Sequence, residues 1–216
     1  MTDPVMQDAS SSDASLSKNS ADRSASPSGA PIKRSSDYAL FISIIVALVL
    51  AFAIRVFVAA PYVVSGTSMV PNFQNWDYLI VDRLSYDFQT PQRGDVIVLD
   101  LPQETSRALI KRVVGLPGET VVLSGPDPTV TIINAAHPNG FTLSEPYIDP
   151  NNYGGTTDTR YTLGPNQYFV LGDNRKVSAD SRIWGLLPRS DIVGRVLLRL
   201  YPFNQIGILP AQARYQ

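Results

Sequence analysis

A-L-I-K-R-V-V-G-L-P-G-E, residues 108 to 119, decides how this chain folds. Its apolar residues do not recur at the spacing of three and four that marks an amphipathic helix. They are largely β-branched and run into a Gly-Leu-Pro-Gly turn, the pattern of a strand and its exit. Alternation along that strand puts Leu109, Lys111 and Val113 on one face. A lysine between two apolar neighbours is unusual on a buried face. If Lys111 is buried, desolvation disfavours its ammonium and draws the pKa from about 10.4 toward neutrality. If the strand lies at an edge, the side chain snorkels to water. The residues alone leave both readings open.

Working outward, the same grammar repeats. Short β-branched runs at Tyr78–Val81, Val96–Leu99, Thr120–Leu123, Val130–Ile133, Tyr168–Leu171 and Ile192–Leu200 are separated by Pro, Gly, Asn and Asp. Long helical periodicity is missing throughout. The expected fold class is mainly β, an antiparallel barrel- or sandwich-like domain over residues 61–216. Residues 124–160 are richer in Pro, Gly and Asn and predict a small loop-rich β subdomain inserted between core strands.

Ahead of the β pattern stands A-L-F-I-S-I-I-V-A-L-V-L-A-F-A-I, residues 39 to 54, followed by Arg55 and V-F-V-A-A. That length is close to the roughly 20 residues a helix needs to cross hydrocarbon, so a single transmembrane helix is expected over 37–60. Arg55 lies near its outer end, where a long side chain can reach the interface. Lys18, Arg23, Lys33 and Arg34 precede the run, while Arg83 is the first basic residue after it. This asymmetry predicts a cytoplasmic N-terminus and an extracytoplasmic β domain. A cleaved signal peptide is the competing reading, since Val58-Ala59-Ala60 is small-residued. Against it, the run begins far into the chain and Pro61 would follow the cut. Residues 1–36, rich in Ser, Asp, Ala and Pro, predict a disordered cytoplasmic tail.

Composition narrows the chemistry. The chain has 216 residues and a net charge of −1, so no overall field draws it to nucleic acid. It has no cysteine and one histidine, His137, which sits among turn formers in A-A-H-P-N-G and reads as a solvated loop residue. Thiol nucleophiles, thiolate metal sites and H-E-x-x-H zinc motifs cannot be written. No metal or organic cofactor is implied. If the protein is a hydrolase, its general base is lysine or a carboxylate.

Two further segments carry polar chemistry. V-V-S-G-T-S-M-V-P, residues 63 to 71, leads from a short strand into a Gly-containing turn and sets Ser68 close to the expected membrane surface. Such a turn is also ordinary turn chemistry. G-D-N-R-K-V-S-A-D-S-R-I-W-G, residues 172 to 185, is dense in short polar residues and holds Asp180 and Arg182 as a charge pair. That loop either orients a catalytic group or forms a satisfied structural turn.

In this order, behind one apolar run, the segments resemble the type I signal (leader) peptidase family. S-G-T-S-M-V-P is similar to its nucleophile box and R-G-D-V-I-V, residues 93 to 98, to the strand that follows. I-K-R-V-V-G-L-P-G-E is similar to the box of its base, and G-D-N-R-x-x-S-x-D-S-R-x-W-G to its last box. The resemblance covers residues 39 to 201. It implies a membrane-bound serine endopeptidase that removes signal peptides from exported preproteins after small residues, at A-x-A sites. It implies Ser68 as nucleophile, Lys111 as general base and Ser178 as the group orienting the lysine, with Asp180 and Arg182 in support. Tyr62, Val64 and Ile110 match positions of the substrate pocket. Gly66 stands where many members carry an oxyanion-stabilising Ser or Thr, which leaves Thr67, Ser65 or a water as the second donor beside the Ser68 N–H. Pro71-Asn72 departs from the more usual Pro-Thr. The implied partners are preprotein signal peptides and membrane lipid. The implied location is a cell membrane, with an internal membrane such as the thylakoid also open.

From a different class comes a non-catalytic, membrane-anchored β binding domain, a degenerate peptidase. Loss of Ser68 or Lys111 would be its sequence sign, and both are present.

Overall fold

The computed structural model describes residues 34–53, 59–102, 104–125, 129–155, 157–213 and 215. The expected disordered tail up to residue 33 lies outside them, as does the stretch 54–58 with Arg55. Packing divides the chain into Met1–Ile42 and Ser43–Gln216, and the β structure falls wholly within the latter.

Helix α1 (Arg34–Ala53) carries apolar side chains on every side, and its residues from 38 to 52 are exposed. Among the described residues, no helix is long and apolar enough to cross a membrane. The expected span over 37–60 also ends differently. Ala59 and Ala60 belong to strand β1 (Ala59–Val63), which pairs antiparallel with β2 (Tyr78–Asp82). Their backbone groups are satisfied by a sheet ladder, and Pro61 is tolerated because β1 is an edge strand.

The larger sheet is antiparallel throughout. From β1 and β2 it continues to β11 (Ile192–Tyr201), β3 (Val96–Leu101), β4 (Glu104–Gly115), β9 (Gln167–Leu171) and β10 (Leu187–Pro188). A short strand, β12 (Gly207–Ile208), lies beside β11. The central β3 reads V-I-V-L with every residue buried, which requires cover on both faces. Val96 and Val98 pack with Met69, Phe73, Leu79 and Val81 on one side. Ile97 and Leu99 pack with Val113, Tyr168 and Val170 on the other.

The smaller sheet orders β7 (Phe141–Thr142), β6 (Val130–Ile133), β5 (Thr120–Leu123) and β8 (Thr159–Thr162). Here burial alternates, so one face is solvated. The other packs Val121, Leu123, Val130 and Ile132 against Val114, Phe169 and Leu171 from β4 and β9. This sheet begins at Thr120, before the expected insertion at 124, because β5 pairs with β6 and β8 instead of the larger sheet.

Candidate active site

The segment 64–77 is a loop closed at its base by backbone hydrogen bonds from Val64 to Asp77 and from Trp76 to Val64, both 2.9 Å. Met69 and Phe73 anchor it in the core, and the Phe73 N–H donates to the Met69 carbonyl. Ser68 therefore sits half-buried beside a fixed neighbour. Gly66 has a φ of 106°, in the region that strains any L side chain, and its N–H donates to Asn75 Oδ1 at 3.1 Å. The absence of a Ser or Thr hydroxyl at this position thus has a backbone reason.

Strand β4 delivers the second group. Lys111 is 2% exposed, so of the two readings left open by the sequence the buried one holds. Its Nζ donates to the Ile110 carbonyl at 2.8 Å and lies 3.0 Å from Ser68 Oγ, across 43 residues of chain. Burial is the main force on its pKa, which is pushed down to about 8. The charges of Asp180 and Asp173 oppose that fall, and Arg107 adds to it. An amine with this pKa, at hydrogen-bond distance from a hydroxyl, can exchange a proton with it near neutral pH.

The loop following β9 carries the third element. Asp180 caps the one-turn helix α2 (Ser181–Trp184) and pairs with Arg182 through contacts of 2.8 and 2.9 Å. It also accepts the Gly172 N–H at 3.0 Å. No hydrogen bond joins Asp180 to Lys111 among the described residues; its charge acts across space. Ser178 is 5% exposed and its Oγ has no hydrogen-bond partner among the described residues, so the expected link to Lys111 is not made. The hydroxyl lies instead against Gly172, on the side of the Ser68 carbonyl. A Cβ built on Gly172 would come within 2.2 Å of Ser178 Oγ and 2.5 Å of the Ser68 carbonyl oxygen.

Sequence reasoning missed the hub that ties these segments together. Arg112, next to Lys111 and wholly buried, forms a bidentate pair with Asp173 at 2.8 and 2.6 Å. Asp173 also accepts from Asn72 Nδ2 at 2.8 Å, and that amide reaches the Tyr147 carbonyl at 2.8 Å. The Asn174 N–H donates to the Ser68 carbonyl at 2.9 Å. Pro71-Asn72, which departs from Pro-Thr, thus places an amide where it bridges two segments. Arg112 and Asp173 both lie inside quoted motifs, but partners 61 residues apart leave no local signal of pairing.

Beside Ser68 and Lys111 opens a cleft of about 100 Å³. Tyr62, Val64 and Ile110 line it, as do Leu79 and Val98, so the walls are mostly apolar. His137 lies exposed against Phe141 in the smaller sheet, with ring centroids 4.8 Å apart.

Comparison with known proteins bears on this arrangement. A family model described as signal peptidase, peptidase S26, matches residues 37–201. A signal peptidase I of Leptolyngbya laminosa is 39% identical over 180 residues, covering 78% of this chain and 81% of that one. A probable signal peptidase I-1 of Synechocystis sp. is 37% identical over 174 residues, covering 77% of this chain and 83% of its own. A crystal structure of a signal peptidase I from Enterococcus faecalis V583, 34% identical, covers 50% of this chain and 97% of that one with a TM-score of 0.42. The chain belongs to the signal peptidase family, peptidase S26, whose reaction class is the hydrolysis of peptide bonds.

Proposed function

We propose that this chain removes signal peptides from exported preproteins, using Ser68 as nucleophile and Lys111 as general base. The observation that carries the reading is the 3.0 Å approach of a buried, pKa-depressed amine to Ser68 Oγ. Ser68 Oγ attacks the scissile carbonyl carbon as Lys111 Nζ takes its proton. The oxyanion faces the Ser68 N–H, with Ser65, Thr67 or a water as the second donor. The C–N bond then breaks, Lys111 returns the proton to the leaving amine, and an ester remains on Ser68. Water, deprotonated by Lys111, hydrolyses that ester.

Ser178, which makes no bond to Lys111 as the structure stands, is read as the acceptor that orients a second Lys111 N–H once substrate is bound; supporting this are its burial and its unpartnered hydroxyl. Asp180 and Arg182 hold its loop. The cleft lined by Tyr62, Val64 and Ile110 takes small side chains and sets the preference for A-x-A sites.

The uninterrupted apolar run of the sequence from residue 39 onward supports reading this chain as crossing a membrane once, with its N-terminus cytoplasmic. Since β1 follows within a few residues, the cut is made close to the outer membrane surface. The protein is accordingly read as a single-pass protein of the cell membrane or of an internal one.

The test incubates the detergent-solubilised full chain with a preprotein bearing an A-x-A site, beside Ser68→Ala and Lys111→Ala. Wild type should cleave at that site and both variants should lose at least about a thousandfold in kcat/KM. Equal turnover by wild type and Ser68→Ala would sink the reading.

A further inference from the structure

The segment after β11 lies beyond the residues matched by the family model, 37–201, yet it returns to the groups that hold the candidate site. After β12 pairs with β11, the Leu209 N–H donates to the Leu197 carbonyl at 2.7 Å. The chain then turns through Leu209 and Ala211 with φ of 47° and 56°. Non-glycine residues keep such angles only where their surroundings fix them. Three attachments do so. The Ala211 carbonyl accepts from Arg112 Nη1 at 2.6 Å. Gln212 Nε2 donates to Asp95 Oδ1 at 3.1 Å. Tyr215 places its hydroxyl 2.6 Å from that of Tyr147.

Tyr147 is the pivot. Its ring lies under the Arg112 guanidinium, 4.0 Å from centroid to carbon, and its carbonyl accepts the Asn72 amide. Its hydroxyl donates to Glu145 Oε1 at 2.6 Å, which leaves Tyr215 as the donor in the pair of hydroxyls. The two rings meet edge-on at 85°. Arg112 adjoins Lys111 in β4, and Asn72 lies in the loop of Ser68. Displacement of the Tyr147 ring would therefore move both halves of the reactive pair.

Resting on the reading of Ser68 and Lys111 given above, we infer that Tyr215 is a positioning residue: through Tyr147 it fixes Arg112 and Asn72, and so the approach of Lys111 to Ser68. The segment 207–213, together with Tyr215, is thus a strap on the catalytic sheet, and the Tyr215 hydroxyl acts on turnover as well as on fold.

The experiment uses the full chain in detergent and the preprotein above, with Tyr215→Phe, Tyr147→Phe, the double variant, and Tyr215→Ala. Tyr215→Phe keeps the ring and removes only the donor. It should lower kcat about tenfold with KM within about twofold of wild type. Tyr147→Phe, which also removes the donor to Glu145, should fall at least as far, and the double variant should be no worse than Tyr147→Phe, since the link between the two hydroxyls is already broken there. Tyr215→Ala should fall further and lower the melting temperature as well. A kcat for Tyr215→Phe within about twofold of wild type, or losses that multiply in the double variant, would overturn the inference. Ser68→Ala is run alongside: if it cleaves as wild type does, the reading of the site fails, whereas if it is dead and Tyr215→Phe is unaffected, only the strap fails.

Discussion

Lys111 is the residue where stability and activity pull against each other. Its pKa falls from 10.5 to about 8 chiefly through desolvation, so the folded chain binds a proton there more weakly than the unfolded chain does. That difference corresponds to roughly 3 kcal/mol against folding, present in full below about pH 8 and gone by about pH 10.5. Lys111→Met, of similar volume and uncharged, should therefore be more stable than wild type at pH 7 by a few kcal/mol, with the gap closing at pH 10. Urea midpoints at the two pH values measure it, and a variant less stable at pH 7 would contradict the argument. The same amine must be unprotonated to accept from Ser68 Oγ. The acid limb of kcat/KM should then fall away below about pH 8. A profile flat down to pH 5 would exclude Lys111 as the base.

At the level of elements, the site exists because the end of β9 touches the Ser68 loop without a side chain between them. Gly172 is the contact point, and Ser178 Oγ and the Ser68 carbonyl both stand where its Cβ would be. Gly172→Ala should push the two segments apart. We expect kcat/KM to drop about a hundredfold and stability to fall by about 1–3 kcal/mol. Steady-state kinetics alongside urea denaturation checks both, and near-wild-type kinetics would show that the contact is slack. The pairing of Arg112 with Asp173 belongs to the same scale. It joins β4 to the loop after β9 and is buried at both ends, so it fixes the geometry with little help from solvent-screened charge.

For the β domain as a whole, the two sheets share their cores. Val114, Phe169 and Leu171 leave the larger sheet to pack on Val121, Val130 and Ile132 of the smaller one. The smaller sheet should thus not melt alone. Ile132→Ala, at a wholly buried position, should cost about 2–5 kcal/mol. It should also shift a single cooperative transition, read equally by far-UV signal and by the environment of Trp184, which packs on the larger sheet's core. Two separated transitions would refute that coupling.

The sequence by itself determined the β character of the domain and where its main strands fall along the chain, and its motifs singled out Ser68 and Lys111, which the fold brings to one cleft. Those signals are local: alternation, turn formers and short motifs are written in neighbouring residues. It also placed Lys111 on a strand between apolar neighbours, but could not say whether that strand was central or at an edge. Only the tertiary structure decided that, because burial depends on what covers a strand, and β4 lies between β3 and β9. The structure also assigned Ala59 and Ala60 to a sheet ladder, gave Gly66 its backbone reason, and left Ser178 without the bond expected of it. The hub of Arg112, Asp173, Asn72 and Tyr147, and the strap ending at Tyr215, join residues far apart in the chain. Their pairing follows from how the strands are laid side by side, which no single stretch of sequence encodes.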